Sequence, residues 1–187
     1  MLHKTVLATI LSSSLYLSAN EALPADEQRA IQENFFEQSR EPGAVLFTPP
    51  TGWHIADPKQ LPPSVKVMVV GKGSSTYPPS INLAIEEYPG TLKQYLQIVK
   101  EINDRSGGEW KDLGTIQTEA GEASLSQVDA KTKWGTERLM HAILIKNGTV
   151  YILTSAALKD EFPQYYKEFF LTMRSLRFNP DKPERDS

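Results

Sequence analysis

Two mostly apolar runs, residues 137–146 and 149–157, are joined by Asn147-Gly148. A type I′ turn needs positive φ at both central positions, so Asn-Gly between such runs is a strong hairpin signal. With the turn there, Lys146 faces Thr149 and the pairing runs outward. One face of the ribbon then carries Leu139, His141, Ile143 and Ile145 against Val150, Ile152, Thr154 and Ala156. The other carries Met140, Ala142 and Leu144 against Tyr151, Leu153 and Ser155. A hairpin with one wet face alternates apolar with polar, and here both faces are mostly apolar. The pattern therefore predicts a hairpin covered on both sides, at the centre of an antiparallel β-sheet sandwiched between helices, an α/β fold of the α/β/α kind.

The rest of the chain supplies those layers. Thr91 to Arg105 reads as a helix: Thr91 and Gln94 have capping-box spacing, Leu92, Tyr95, Leu96, Val99 and Ile102 recur at three- and four-residue intervals, and Ser106-Gly107-Gly108 stops it. A second helix is expected with Asp160 as its cap and Pro163 in its first turn. Its expected buried stripe is Phe162, Tyr166, Phe169, Phe170 and Met173. Val65 to Val70 and Ser80 to Tyr88 read as strands, and so do AVLF and WHIA on either side of the turn TPPTG between residues 44 and 57. Strands near Leu113 to Glu119 and Glu122 to Ala130, turned at Ala120-Gly121, alternate only weakly, which puts them nearer an edge. Leu176 to Phe178 can add a short terminal strand.

Composition narrows the function. At 187 residues the chain suits one domain, and 40% hydrophobic with 23% charged residues is a globular balance. A net charge of −3 gives no electrostatic footprint for nucleic acid or an anionic membrane surface. With no cysteine there are no disulfides, thiolate zinc sites, cysteine nucleophile or lipoprotein acylation site. Residues 1–22 read as a signal peptide, with His3 and Lys4 before an apolar run and small residues that allow cleavage after Ala19 or Ala22. That predicts a periplasmic or secreted protein. Direct secretion of an effector or surface factor with Met1 retained is the alternative. Residues 23–43 are expected to form a short amphipathic helix with Phe35 and Phe36 on its apolar side, followed by a linker. The domain proper spans 44–178, and 179–187 is a charged tail expected to be disordered.

Candidate chemistry is sparse. His54, Asp57, His141 and Asp129 are the residues from which a small hydrolase or metal site could be built, but they are scattered and His141 falls mid-strand, where Thr154 across the ribbon is its natural partner. Gly71-Lys72-Gly73 has neither the P-loop spacing nor the dinucleotide fingerprint. No catalytic residue, metal or cofactor is assigned. The candidate binding residues are Lys72 and Tyr77 in the glycine- and proline-rich loop 71–80, Trp134 at a turn, and Phe35 with Phe36. The expected partner is an envelope or extracellular protein met by a monomer.

The phrase LFTPPTGWHIAD from Leu46 to Asp57, the strand Ser80 to Tyr88 leading through Pro89-Gly90 into a helix, the Asn147-Gly148 hairpin, and the closing helix ending in RSLRF (Arg174 to Phe178) together resemble the PsbP-like superfamily. Its members include extrinsic photosystem II proteins, DcrB-type bacterial envelope proteins and a Ran-binding nuclear-transport protein. The resemblance covers residues 44–178. It implies an α/β/α sandwich around an antiparallel sheet, and proteins that act by binding or by supporting assemblies. It carries no site residues over, because no site motif of those members matches here.

Overall fold

The computed structural model describes residues 43–73 and 77–180, together with Pro24, Asp26, Glu27 and Arg29. The expectations for the leader, for Phe35 and Phe36 and for residues 181–187 lie outside the described residues. In chain order the elements are β1 (Val45–Leu46), β2 (His54–Ile55), a 3-10 turn at Pro58–Gln60, β3 (Val65–Val70), β4 (Ser80–Glu87), α1 (Leu92–Ser106), β5 (Glu109–Thr118), β6 (Gly121–Thr132), β7 (Gly135–Lys146), β8 (Thr149–Leu158), α2 (Phe162–Arg174) and β9 (Arg177–Phe178).

The ribbon at residues 147 and 148 is where the pattern placed it. Asn147 has φ 51° and Gly148 φ 73°, and β7 pairs β8 from Lys146 opposite Thr149 through His141 opposite Thr154 to Glu137 opposite Leu158. Positive φ at both positions turns the chain with the twist of the strands it joins. Around this ribbon a seven-stranded sheet is ordered β2-β3-β4-β8-β7-β6-β5, every described pair antiparallel. The two strands flanking TPPTG do not pair with each other. β1 joins β9 in a separate two-stranded sheet, while β2 adds to the edge beside β3.

Successive side chains of a strand face opposite ways, so the cores on either side can be read from one strand. Ile143, Ile152, Val150, Ala84 and Met68 pack with Tyr95 and Val99 of α1. Their neighbours Ala142, Leu144, Leu153, Leu83 and Ile81 pack with Phe162, Phe169 and Met173 of α2. The ribbon is covered on both sides, α1 on one and α2 on the other. Each large side chain taken out of water contributes about 1.5–3 kcal/mol, so these two stripes hold the layers on the sheet.

α1 carries the expected capping box: the Thr91 side chain accepts from the Gln94 N–H, the Gln94 side chain accepts from the Thr91 N–H, and Gly107 closes the helix in the left-handed region. α2 departs from expectation twice. Its N-cap is Glu161 with no side-chain cap bond, because a tight turn with Glu161 N–H on the Leu158 carbonyl carries the chain past Asp160 before the helix begins. Its buried arc is Phe162, Phe169, Thr172 and Met173, with Tyr166 51% exposed. β5 and β6 are longer than their weak alternation suggested. β5 is the outer edge and wet along most of its length, whereas β6 lies inside the sheet and is largely buried.

Candidate functional site

The residues that could carry function fall into three groups. The first lies where the loop after β3 meets the β6–β7 turn. Gly71 starts the loop against the Trp53 ring, where a Cβ would come within 2.6 Å of the indole, so glycine is required there. Tyr77 returns under the turn and is only 3% exposed; its hydroxyl donates to Glu137 and its ring lies 5.7 Å from that of Trp134. Trp134 is half-buried, with the Lys133 ammonium 4.3 Å above its ring. Tyr77 and Trp134 are thus brought together, the indole lying over the buried tyrosine as a lid. The loop turns Lys72, not Tyr77, to solvent, and the Lys72 carbonyl lies 3.5 Å from the Tyr165 hydroxyl of α2.

The second group holds the titratable residues from which a catalytic site would have to be built. Four strand spacings separate His54 on β2 from His141 on β7, which is about 19 Å. Asp57 caps the 3-10 turn, its Oδ1 accepting from the Lys59 N–H. Asp129 points to the α2 side of the sheet, where it accepts two bonds of 2.8 Å from the Arg138 guanidinium and lies 2.8 Å from the Lys159 ammonium. Hydrogen bonding to Arg138 holds its carboxyl below the usual carboxylate range, against the opposing effect of burial. His141 points to the α1 side, fully buried, with Nδ1 3.0 Å from the Thr154 hydroxyl. Burial lowers its pKa to about 4, so the imidazole is neutral at pH 7. The structure does not bring these four residues together. No cluster of three or more metal-ligating side chains occurs among the described residues, and no described helix is long and apolar enough to cross a membrane.

His141 belongs to a row that the sequence did not reveal. Asp112 lies opposite Ser126, Ser126 opposite His141, His141 opposite Thr154, and Thr154 opposite Asn82, so five strands each place a polar side chain in one line on the α1 face. Ser126, His141, Thr154 and Asn82 are all buried. Reading it from sequence needs the registers of strands distant in the chain.

The third group is the outer face of α2. Tyr166 and Leu171 are 51% and 58% exposed, and the half-buried Phe170 stacks on Tyr166 at 5.8 Å. Lys167 and Arg174 are exposed on the same side of the helix, and no carboxylate of the described residues pairs with either. Monomeric surfaces seldom leave neighbouring large apolar groups uncovered, and aromatics with arginine mark protein contacts.

No protein-family model and no curated protein match the chain. Solved structures do. LpqN of Mycobacterium tuberculosis, described as involved in cell envelope biogenesis, superposes with a TM-score of 0.56 at 16% identity, over 75% of this chain and 87% of that one. PA94 of Pseudomonas aeruginosa gives 0.52 at 14%, over 74% and 99%, and the cyanobacterial PsbP of Synechocystis sp. PCC 6803 gives 0.50 at 13%, over 74% and 94%. The fold is the PsbP-like fold. At such identities the likeness shows the fold and carries no site residue over. The groups described above are therefore read from this PsbP-like domain's own residues.

Proposed function

We propose that this is an exported, non-catalytic binding or assembly module of the cell envelope that acts through protein–protein contacts, with the outer face of α2 as the contact surface. The observation that carries it is the stacked Tyr166–Phe170 pair beside Leu171, flanked by Lys167 and Arg174, cations with no carboxylate partner among the described residues. The role described for LpqN and the signal-peptide pattern of residues 1–22 support the envelope setting. Such a surface fits an acidic partner segment with apolar anchors: the ring pair and Leu171 supply desolvated contact, and the two cations select for carboxylates.

Site-specific photo-crosslinking in cells that make the protein tests this. A photoreactive residue at Tyr166 or Leu171 is expected to give a discrete protein adduct, identified by mass spectrometry, that disappears in the Lys167→Glu, Arg174→Glu double variant. Adducts no stronger than those from Lys93 on α1, or adducts indifferent to the charge reversal, would remove α2 as the contact. Sequencing the N-terminus of the exported product tests the leader: a start near Asn20 or Leu23 is expected, and retained Met1 points to the effector reading.

A further inference from the structure

The buried polar row divides the α1 side of the core. On one side of it lie Ile143, Ile152 and Ala84 beneath Tyr95 and Val99; on the other lie Leu139, Val128 and Ala156, and on β3 the row ends at the apolar Met68 opposite Asn82. His141 sits between the two apolar groups with no exposed surface. Its Nδ1 meets the Thr154 hydroxyl and its Nε2 has no partner among the described residues. Across the strands it faces Ser126 and Thr154, and along β7 it is flanked by Leu139 and Ile143, all uncharged.

The charged or titratable described groups on that face lie away from the ring. Asp112 is in the row two strands off, exposed at the edge and accepting from the Gly114 N–H. Glu86 on β4 accepts from the Tyr95 hydroxyl of α1 at 2.8 Å, and Glu137 accepts from Tyr77. Glu122 on β6, exposed, is on the same face, and each of these three glutamates is four residues along its strand from the row, about 13 Å. His54 stands on the far edge strand. Arg138, Asp129 and Lys159 are on the opposite face. An imidazolium at position 141 would therefore be a buried cation without a counter-charge, which proteins avoid by exposing the group or by refusing the proton.

We infer that His141 is an acid-sensitive latch: taking up a proton there releases the α1 layer from the sheet while the α2 layer stays folded. The asymmetry of the two sides decides which one opens. α1 buries Tyr95, Val99, Ile102 and Asn103 and is otherwise wet, and a helix of 15 residues has little stability alone in water. α2 closes the larger core with Phe162, Phe169, Met173 and the following Leu176. Opening the α1 side hydrates the imidazole and uncovers the apolar rows around Ile143, Ile152 and Leu139. Acidification would thus present a second apolar surface, separate from the outer face of α2.

The sign follows from the ordinary value of 6.5 and the buried value of about 4. The open form binds the proton more tightly, so closure is fully favoured above about pH 6.5 and is lost as pH falls toward 4. Hydrogen exchange of the full chain, corrected for intrinsic rates, should show the opening of residues 92–106 rising about tenfold at pH 5.5 and about seventyfold at pH 4.5 relative to pH 7.5, with residues 162–174 unchanged. His141→Gln, checked for folding at pH 7.5 by near-UV circular dichroism, should flatten the rise. Should that variant not fold, the imidazole resonances of the wild-type protein give the same answer: His141 stays neutral in the closed form and protonates only as residues 92–106 lose protection. Titration of His141 near 6.5 with α1 still protected, joint loss of both helices, or an equal rise in His141→Gln would overturn the latch.

Discussion

Asp129 shows how much one buried carboxylate can carry. It faces two cations, one of them through a bidentate fork, at 7% exposure of its own side chain. Asp129→Asn leaves Arg138 without its counter-charge and should cost about 2–3 kcal/mol at pH 7 by urea unfolding. Because the folded carboxyl titrates below its ordinary 3.8, that stabilisation is present above about pH 4 and is lost as pH falls through the folded value. The difference between wild type and variant should therefore close toward pH 2. His141 runs the same linkage in the opposite chemical sense, a base kept neutral instead of an acid kept charged. The His141–Thr154 contact was legible from the hairpin alone, since both residues lie on one local ribbon. The Asp129–Arg138–Lys159 group was not, because Lys159 reaches it only after β8 has crossed the sheet.

Single elements follow local rules where local chemistry decides them. The capping box of α1 is complete, so Thr91→Ala should lower stability by about 1 kcal/mol in the same unfolding assay. Gly148 at φ 73° is the second central residue of the β7–β8 turn, and Gly148→Val forces a β-branched side chain into the left-handed region. A loss of about 1–3 kcal/mol is expected, whereas Gly148→Asn should be nearly tolerated. Local rules fail where packing chooses between equivalent patterns. Tyr166 and Thr172 are both compatible with the helical period of α2, yet Thr172 is buried and Tyr166 is not, because periodicity defines a stripe without saying where its centre meets the sheet. β5 hid its length for a related reason: an edge strand wetted on most positions has no apolar alternation to display.

At the scale of the whole molecule, α2 and its sheet face form the heavier half of the structure. Phe169→Ala there should cost about 3–5 kcal/mol, with near- and far-UV unfolding transitions still coincident at pH 7.5. The sequence by itself determined the central ribbon, its register, the capped helix and the α/β/α layering, because turn chemistry and side-chain periodicity act over a few residues and need no partner. The PsbP-like likeness rests on that same local order of elements. Only the tertiary structure decided that Tyr77 is buried beneath Trp134, that β1 pairs with β9 and not with its neighbour in the chain, and that Ser126, His141, Thr154 and Asn82 stand in one buried line. Each of those depends on which distant strands meet and in what register, and that is set by the sum of packing over both faces of the sheet.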